Sequence, residues 1–267
     1  MPLAVCATPI GNLGDVTLRV LEQLAAADLV LCEDTRRTRI LLDRHGITAR
    51  LTSYHEHNEA KRVAEVLPRL EAGETIALVS DAGLPGVNDP GARLVAAARD
   101  AGVPVSVLPG PSAVETALVT SGFDFERYQF LGYLPRGARA LEALWDELAS
   151  WPHAAVAFES PKRLPATLAS LAAALAARPL AVCRELTKAH EEVVRGSAGE
   201  VAAAFSEAPR GEVTVVFGPA PARAAPEQAA LEAVVELVER GVPRRAAADV
   251  VARLTGVSRN RLYAGSL

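Results

Sequence analysis

The densest group of residues suited to chemistry is Ser80-Asp-Ala-Gly-Leu-Pro-Gly-Val-Asn-Asp-Pro-Gly91. Its glycines let backbone approach a ligand closely, Pro85 and Pro90 restrict φ, and Asp81 and Asp89 supply acceptors. An apolar run, Thr75 to Val79, precedes the loop, and a helical pattern from Ala92 to Ala101, ended by Gly102, follows it. Strand, glycine-rich loop and helix in that order build a ligand crevice at the carboxyl end of an open α/β sheet. Two further strand ends have this character: Thr8-Pro-Ile-Gly-Asn-Leu-Gly-Asp15 after Leu3 to Ala7, and Pro109-Gly-Pro-Ser-Ala113 after Val105 to Leu108. The glycine spacing after the first strand fits neither the dinucleotide fingerprint nor the P-loop.

Charge gathers at other strand ends. Leu29 to Cys32 runs into Glu33-Asp-Thr-Arg-Arg-Thr-Arg39, where carboxylates and guanidinium groups suit an anionic or hydroxyl-bearing substrate. The same residues also suit the first turn of a helix, where Glu33 and Asp34 favour the dipole; both readings stand. In Ser53-Tyr-His-Glu-His-Asn58 the two histidines alternate as in a strand, but no third metal ligand follows at recognisable spacing, so no metal is assigned.

The elements that must position these groups follow from periodicity. Helical segments at about Thr17 to Ala27 and Glu59 to Glu71 alternate with the strands, which makes residues 1–122 a parallel, doubly wound domain. Phe123 to Arg127 leads to a second domain, 123–219. Its strands are expected at Tyr128 to Tyr133, Ala154 to Glu159, Ala181 to Glu185, Glu191 to Gly196 and Glu212 to Gly218. Its helices are expected at Ala138 to Ser150, Leu164 to Ala177 and Gly199 to Ser206, so strands predominate and the sheet is mixed. Pro219 to Pro226 reads as a stiff Pro/Ala linker. Helical patterns at Glu227 to Arg240, Arg244 to Leu254 and Ser258 to Tyr263 then form a small module, 227–267. It is either helix-turn-helix-like or a packing appendage.

Bulk properties narrow the class. A 267-residue chain that is 50% hydrophobic can bury a full core, and none of its apolar runs approaches a membrane span. The N-terminus carries no signal-peptide pattern. Cys6, Cys32 and Cys183 are scattered inside apolar runs, as in a reduced, cytoplasmic protein. A net charge of −4 means that a nucleic-acid partner must meet a local basic patch. Low aromatic content argues against a base-stacking platform.

The blocks Thr8 to Asp15, Glu33 to Arg36, Ser53 to Asn58, Ser80 to Gly83 with Asp89 to Gly91, Pro109 to Ala113, Glu159 to Pro161 and Arg184 to Lys188 occur in order. Together they resemble the small-subunit ribosomal RNA methyltransferases of the tetrapyrrole methylase superfamily. The resemblance spans roughly residues 3 to 218 and reaches into the C-terminal helices. It implies α/β architecture: two α/β domains of the tetrapyrrole methylase type, a cleft between them for S-adenosylmethionine, and a homodimer. It also implies methylation of the 2′-hydroxyl of a cytidine in the decoding region of 16S rRNA, within the small ribosomal subunit. Matching positions place the cofactor near Pro9, Ile10 and Gly11, near Asp81, Gly83 and Leu84, and near Ser112 and Ala113. Phe158 and Glu159 close the adenine side. The family usually has Thr at Leu84, often Ser at Asn88, and His at Arg37 and Lys162.

Methyl transfer to a ribose hydroxyl needs alignment and a group that favours loss of the proton. Candidates at strand ends are Glu33, Asp34, His55, Glu185 and Lys188, the last as an electrostatic stabiliser. The favoured assignment has Asp34 orient or deprotonate the hydroxyl while Arg36 binds a neighbouring phosphate; the competing one has Asp34 cap a helix. Phosphate contacts are expected from Arg36, Arg37, Arg136, Lys162, Arg163 and Lys188, with His55 beside them. A porphyrinoid C-methyltransferase of the same fold and a non-catalytic ribosome assembly factor are the alternative readings.

Overall fold

The computed structural model describes residues 2–220 and 226–266. Residues 221–225, most of the expected Pro/Ala linker, lie outside the described residues. Contacts divide the chain into two compact units, Met1–Asp146 with His153–Pro219, and Glu147–Pro152 with Ala220–Leu267.

The first unit contains two sheets. Strands β1 (Leu3–Cys6), β2 (Leu29–Cys32), β3 (Leu51–Ser53), β4 (Ile76–Leu78) and β5 (Val105–Leu108) pair in the order β3-β2-β4-β1-β5, all in parallel. Side chains alternate across this sheet, as a strand's period of two requires. Leu3, Val5, Leu29, Leu31, Ile76 and Leu78 face one way. They meet Val66 and Leu70 of α3 (Glu59–Glu71) and Leu94 and Ala98 of α4 (Ala92–Asp100). Ala4, Cys6, Val30, Cys32 and Ala77 face the other way. They meet Val20 and Leu24 of α1 (Leu18–Ala26) and Leu42 of α2 (Thr35–Arg44). Both faces are covered, which is why these strands read as short continuous apolar runs. The cap of α1 is Thr17, whose side chain accepts from the Val20 amide at 3.3 Å.

The second sheet has the order β6-β7-β10-β8-β9, from β6 (Tyr128–Tyr133), β7 (Ala154–Glu159), β8 (Pro179–Arg184), β9 (Glu192–Ser197) and β10 (Val213–Phe217). Only β6 and β7 run parallel among its pairs; the others are antiparallel, so the sheet is mixed. Helix α5 (Ala113–Ser121) follows the first sheet but packs Val114, Ala117 and Leu118 against Ala154, Val156, Ala181 and Val216 of the second. The helices α6 (Ala138–Ser150) and α7 (Leu164–Leu175) follow β6 and β7. The short α8 (Ala198–Ala204) starts directly at the end of β9.

The second unit holds α9 (Pro226–Glu239), α10 (Arg244–Thr255) and α11 (Arg259–Gly265) around Ala230, Val234, Ala247, Ala248, Val251 and Leu262. Among the described residues no helix is long and apolar enough to cross a membrane.

The histidine block differs from its sequence reading. β3 ends at Ser53, so His55 and His57 lie in the turn before α3 and not on alternating strand positions. The cause is Asn58: its side-chain carbonyl accepts from the His55 amide at 2.9 Å and its amide group donates to Ser53 O at 3.2 Å, which folds the segment into a turn.

The start of α8 provides a clean test of local stabilisation. Ser197 Oγ accepts from the Glu200 amide at 3.3 Å, and Glu200 Oε2 accepts from the Ser197 amide at 2.8 Å, a reciprocal capping box. Ser197→Ala is expected to lower unfolding free energy by about 1 kcal/mol in urea melts; an unchanged midpoint would show that the box is not made in solution.

Candidate functional site

The carboxyl ends of the parallel strands open into a cleft of about 750 Å³ within the first unit. Crossover connections put the loops after β1, β4 and β5 side by side, because β4 and β5 flank β1 in the sheet. The first two loops are joined by backbone pairing. Thr8 N–H donates to Gly83 O at 2.8 Å and Gly83 N–H to Thr8 O at 3.0 Å. Thr8 Oγ1 adds a hydrogen bond to Ser80 O at 3.1 Å. Gly83 has φ +76, a conformation that favours glycine.

Most residues expected to hold a cofactor meet at this cleft. Ile10, Asp81, Gly83 and Leu84 line it from the loops after β1 and β4. Ser112 and Ala113 line it from the start of α5, and Phe158 and Glu159 from the end of β7. Pro9 and Gly11 instead line a smaller cavity of about 210 Å³, which shares Ile10, Arg37, Asp81, Ala82 and Glu212 with the larger one. Phe130, Tyr133 and Phe158 form an aromatic wall, with edge-on ring contacts at 5.1 and 5.7 Å between centroids. Phe130 and Tyr133 carried no short-range signal, since only the pairing of β6 with β7 brings them to Phe158.

Several polar side chains already have intramolecular tasks. Asp81 Oδ1 accepts from the Asp34 amide at 3.0 Å, and Oδ2 from Arg37 at 3.4 Å, so Asp81 ties the end of β4 to the start of α2. Glu159, whose side chain is 0% exposed, accepts from the Ser160 amide at 2.5 Å and from Thr167 Oγ1 at 2.7 Å. It also pairs with Arg163. Arg163 in turn donates to Leu134 O and Pro135 O, each at 3.0 Å. This network fixes the ends of β6 and β7 against each other. The geometry therefore gives Glu159 and Arg163 a scaffolding task at the edge of the cleft that Glu159 also lines.

The pair Glu33 and Asp34 divides. Glu33 lines the large cleft, where burial and then the nearby Asp81 raise its carboxyl above the usual range. Asp34 lines neither cavity. It caps α2, accepting from the Arg36 amide at 2.8 Å, and its oxygens also take Arg36 Nε at 3.1 Å and Nη2 at 2.7 Å. Those hydrogen bonds hold its carboxyl down at about 2. Of the two sequence readings for Asp34, the geometry matches the cap, because a carboxylate with both oxygens engaged is a weak base.

Among the basic residues, Arg36 is 88% exposed apart from its contact with Asp34, and Arg37 lines both cavities. Arg136 and Lys162 are exposed just beyond the ends of β6 and β7. His55 lines neither cavity; its Nε2 meets the Asn58 side chain at 3.0 Å. Lys188 lines the smaller cavity from the hairpin between β8 and β9. It donates to Glu185 at 2.7 Å and Glu212 at 2.9 Å. Burial works against its charge, but these partners outweigh that and raise its pKa. It is an anchored cation, not a neutral amine base. The hairpin closes on the first loop: Asn12 N–H donates to Thr187 Oγ1 at 3.0 Å, and a Cβ on Gly11 would lie 2.5 Å from Lys188 Cγ.

The Arg163 network can be tested apart from any ligand. Arg163→Ala would leave the buried Glu159 carboxylate without its cation, and unfolding free energy should fall by about 3 kcal/mol in denaturant melts. Full stability combined with weakened RNA binding would return Arg163 to the RNA surface.

Comparison with known proteins is consistent with this geometry. Residues 2–202 match the family model described as Tetrapyrrole (Corrin/Porphyrin) Methylases. Relatives named ribosomal RNA small subunit methyltransferase I include one from Mesorhizobium japonicum, 43% identical, covering 98% of this chain and 90% of that protein. Another, from Micromonospora olivasterospora, is 46% identical over 96% of this chain and 83% of its own length. The one from Escherichia coli O157:H7 is 38% identical over 98% of this chain and 93% of its own. Among solved structures, the methyltransferase CobJ matches with TM-score 0.62 at 22% identity, covering 83% of this chain and 95% of that one. A Thermus thermophilus uroporphyrin-III C-methyltransferase, solved with S-adenosyl homocysteine, matches with TM-score 0.56 at 18% identity, over 81% of this chain and 96% of its own. The structures share the fold, and the matched family model and the curated relatives span most of the sequence. The chain belongs to the tetrapyrrole methylase family.

Proposed function

We propose that this protein transfers a methyl group from S-adenosylmethionine to the ribose 2′-hydroxyl of a cytidine in the decoding region of 16S rRNA. It is a methyltransferase of S-adenosylmethionine, and ribosomal RNA is the acceptor that curated relatives 38–46% identical to it carry in their names. In this reading residues 1–122 and 123–219 are the two halves of the catalytic unit, and 227–267 is an appended helical module. The homodimer, the small ribosomal subunit as the substrate's setting and the cytoplasm as its location come from the resemblance of the ordered sequence blocks.

The observation that carries the reading is the cleft itself, where the carboxyl ends of a parallel sheet face an aromatic wall beside the arginine-bearing start of α2. Its volume suits a cofactor-sized ligand. Apolar Ile10, Leu84 and Phe158 offer surface to an adenosine, while the glycine-containing loops at Gly83 and Gly110 bring backbone close. A Cβ at Gly110 would stand 2.9 Å from that of Ala7, so only glycine lets the loop after β5 pass so close to the end of β1. Leu84 offers no hydroxyl, so polar recognition at that loop falls to backbone groups. When bound, the cofactor supplies an electrophilic methyl group on a sulfonium.

The chain's own residues do the rest. Arg37, reaching both cavities, is placed to neutralise a phosphate beside the acceptor ribose, and Arg36, Arg136, Lys162 and the anchored Lys188 extend that cationic rim. Glu33 faces the cleft and orients the ribose by accepting from a hydroxyl. Asp34 acts through the backbone, by capping the helix that carries Arg36 and Arg37.

The test offers methyl-labelled S-adenosylmethionine with unmodified small ribosomal subunits. Label should enter one cytidine whose following linkage resists alkali. Glu33→Gln should slow transfer by more than about tenfold, with folding intact. Asp34→Ala should lower the melting temperature, with the smaller loss of rate. Label in protein, base carbons or porphyrinoid acceptors alone would contradict the proposal.

A further inference from the structure

Helix α4 begins where the loop after β4 ends, and it lacks a cap of its own. Its N-cap is Gly91, which has no side chain to accept from a first-turn amide, whereas Thr17, Asp34 and Ser197 do so for α1, α2 and α8. The glycine is required. Gly91 has φ +146, and a Cβ on it would stand 3.0 Å from Leu78 Cδ2 and 3.3 Å from the Gly86 nitrogen. The third residue of α4 is Leu94, so the return half of a capping box cannot form either. Yet this loop lines the cleft with Leu84, Val87, Asn88 and Asp89, and its far end must be held.

The missing acceptor comes from another helix. Glu59 is the first residue of α3, and its Oε1 accepts from the Gly91 amide at 3.2 Å. The same oxygen accepts from Tyr54 Oη at 2.7 Å. Tyr54 is 1% exposed. Burial first, and then Glu59, raise its hydroxyl well above the ordinary value, so it stays a donor. Glu59 thus lies in the first turn of α3 and against the N-cap of α4, where the partial positive charge of two helix ends favours one carboxylate. Val66 and Leu70 of α3 share an apolar cluster with Leu94 and Ala98 of α4, which keeps the two helices together behind that contact.

We infer that Glu59 is a positioning residue for the cofactor: from α3 it supplies the acceptor that α4 lacks, and so fixes the far end of the cleft-lining loop. The start of the same loop is fixed by the pairing of Gly83 with Thr8. The inference rests on the reading above that S-adenosylmethionine occupies the cleft. Glu59 lines neither cavity, so it acts through the loop and not on the ligand. Without its oxygen the loop spends part of its time in arrangements that do not bind, and apparent affinity falls by the fraction of molecules left competent. Bound cofactor restores the arrangement, so the effect falls on affinity and not on the transfer step.

The experiment titrates the full-length wild type, Glu59→Ala, Glu59→Gln and Tyr54→Phe with S-adenosylhomocysteine by calorimetry, well below each melting temperature. It also follows methylation of unmodified small subunits at low and at saturating S-adenosylmethionine. Glu59→Ala should bind about tenfold more weakly, with its rate at saturating cofactor within about threefold of wild type. Glu59→Gln keeps an acceptor oxygen and should bind within about threefold of wild type. Hydrogen exchange in free Glu59→Ala should quicken in residues 84–91 and not in 8–11, and S-adenosylhomocysteine should reverse the change. A folded Glu59→Ala that binds within about threefold of wild type overturns the inference, because a lower melting temperature alone would make Glu59 a stability contact. A rate loss that saturating cofactor leaves in place overturns it too, as does a Glu59→Gln protein that binds as weakly as Glu59→Ala. Should Glu59→Ala fail to fold, Tyr54→Phe removes only the donor that orients Glu59. It should weaken binding by about threefold or more, and unchanged affinity there overturns the inference equally. Wild type that binds no S-adenosylhomocysteine overturns the cofactor reading, and this one with it, and is distinguishable because it appears before any substitution.

Discussion

The backbone pairing of Thr8 with Gly83 is the constraint on which the site depends. β1 and β4 are neighbours in the sheet, but a parallel pair by itself lets the following loops diverge. Reciprocal amide–carbonyl bonds of 2.8 and 3.0 Å hold them together beyond the strand ends. Because Gly83 takes up a left-handed turn there, the chain can reverse at once and present Leu84 through Asp89 to the cleft. The crevice deepened in this way is lined by Ile10 from one loop and Asp81 from the other, together with the aromatic side chains of the second sheet. Buried amides with fixed partners of this kind cannot shift without leaving polar groups unmade, which makes the site rigid before any ligand arrives.

Electrostatics then sorts the side chains. The strand ends carry many charges, but those with the shortest contacts are largely neutralised internally. Glu159 holds Arg163, Lys188 holds Glu185 and Glu212, and Asp34 holds Arg36. These pairs fix loops. Groups that face the large cleft with fewer such partners are Glu33, Asp89 and Arg37, and of these only Arg37 also lines the smaller cavity.

Much of this was legible in the sequence. Short continuous apolar runs bounded by glycine and proline marked the parallel strands, because strands buried on both faces need no polar alternation. The special residues at three strand ends marked the crevice, because only a few residue types tolerate such turns. Ser53 to Asn58 misled, because His55 and His57 suggest alternation while Asn58 folds the segment into a turn. The sequence left Asp34 open between a cap and a catalytic group, and the mutual partners of Glu159 and Arg163 were hidden. A charged residue at a strand end looks the same in sequence whether it faces a ligand or an amide a few residues away. Phe130 and Tyr133 join the site only through strand pairing in the second sheet, which no local pattern encodes.

The central claim is that both sheets hold one cofactor in one cleft. Hydrogen exchange of the full chain with and without S-adenosylhomocysteine tests it most directly. Protection is predicted in four separate stretches at once: residues 8–11, 81–84, 110–113 and 158–160. Protection confined to stretches of a single sheet, or its absence at saturating ligand, would contradict it.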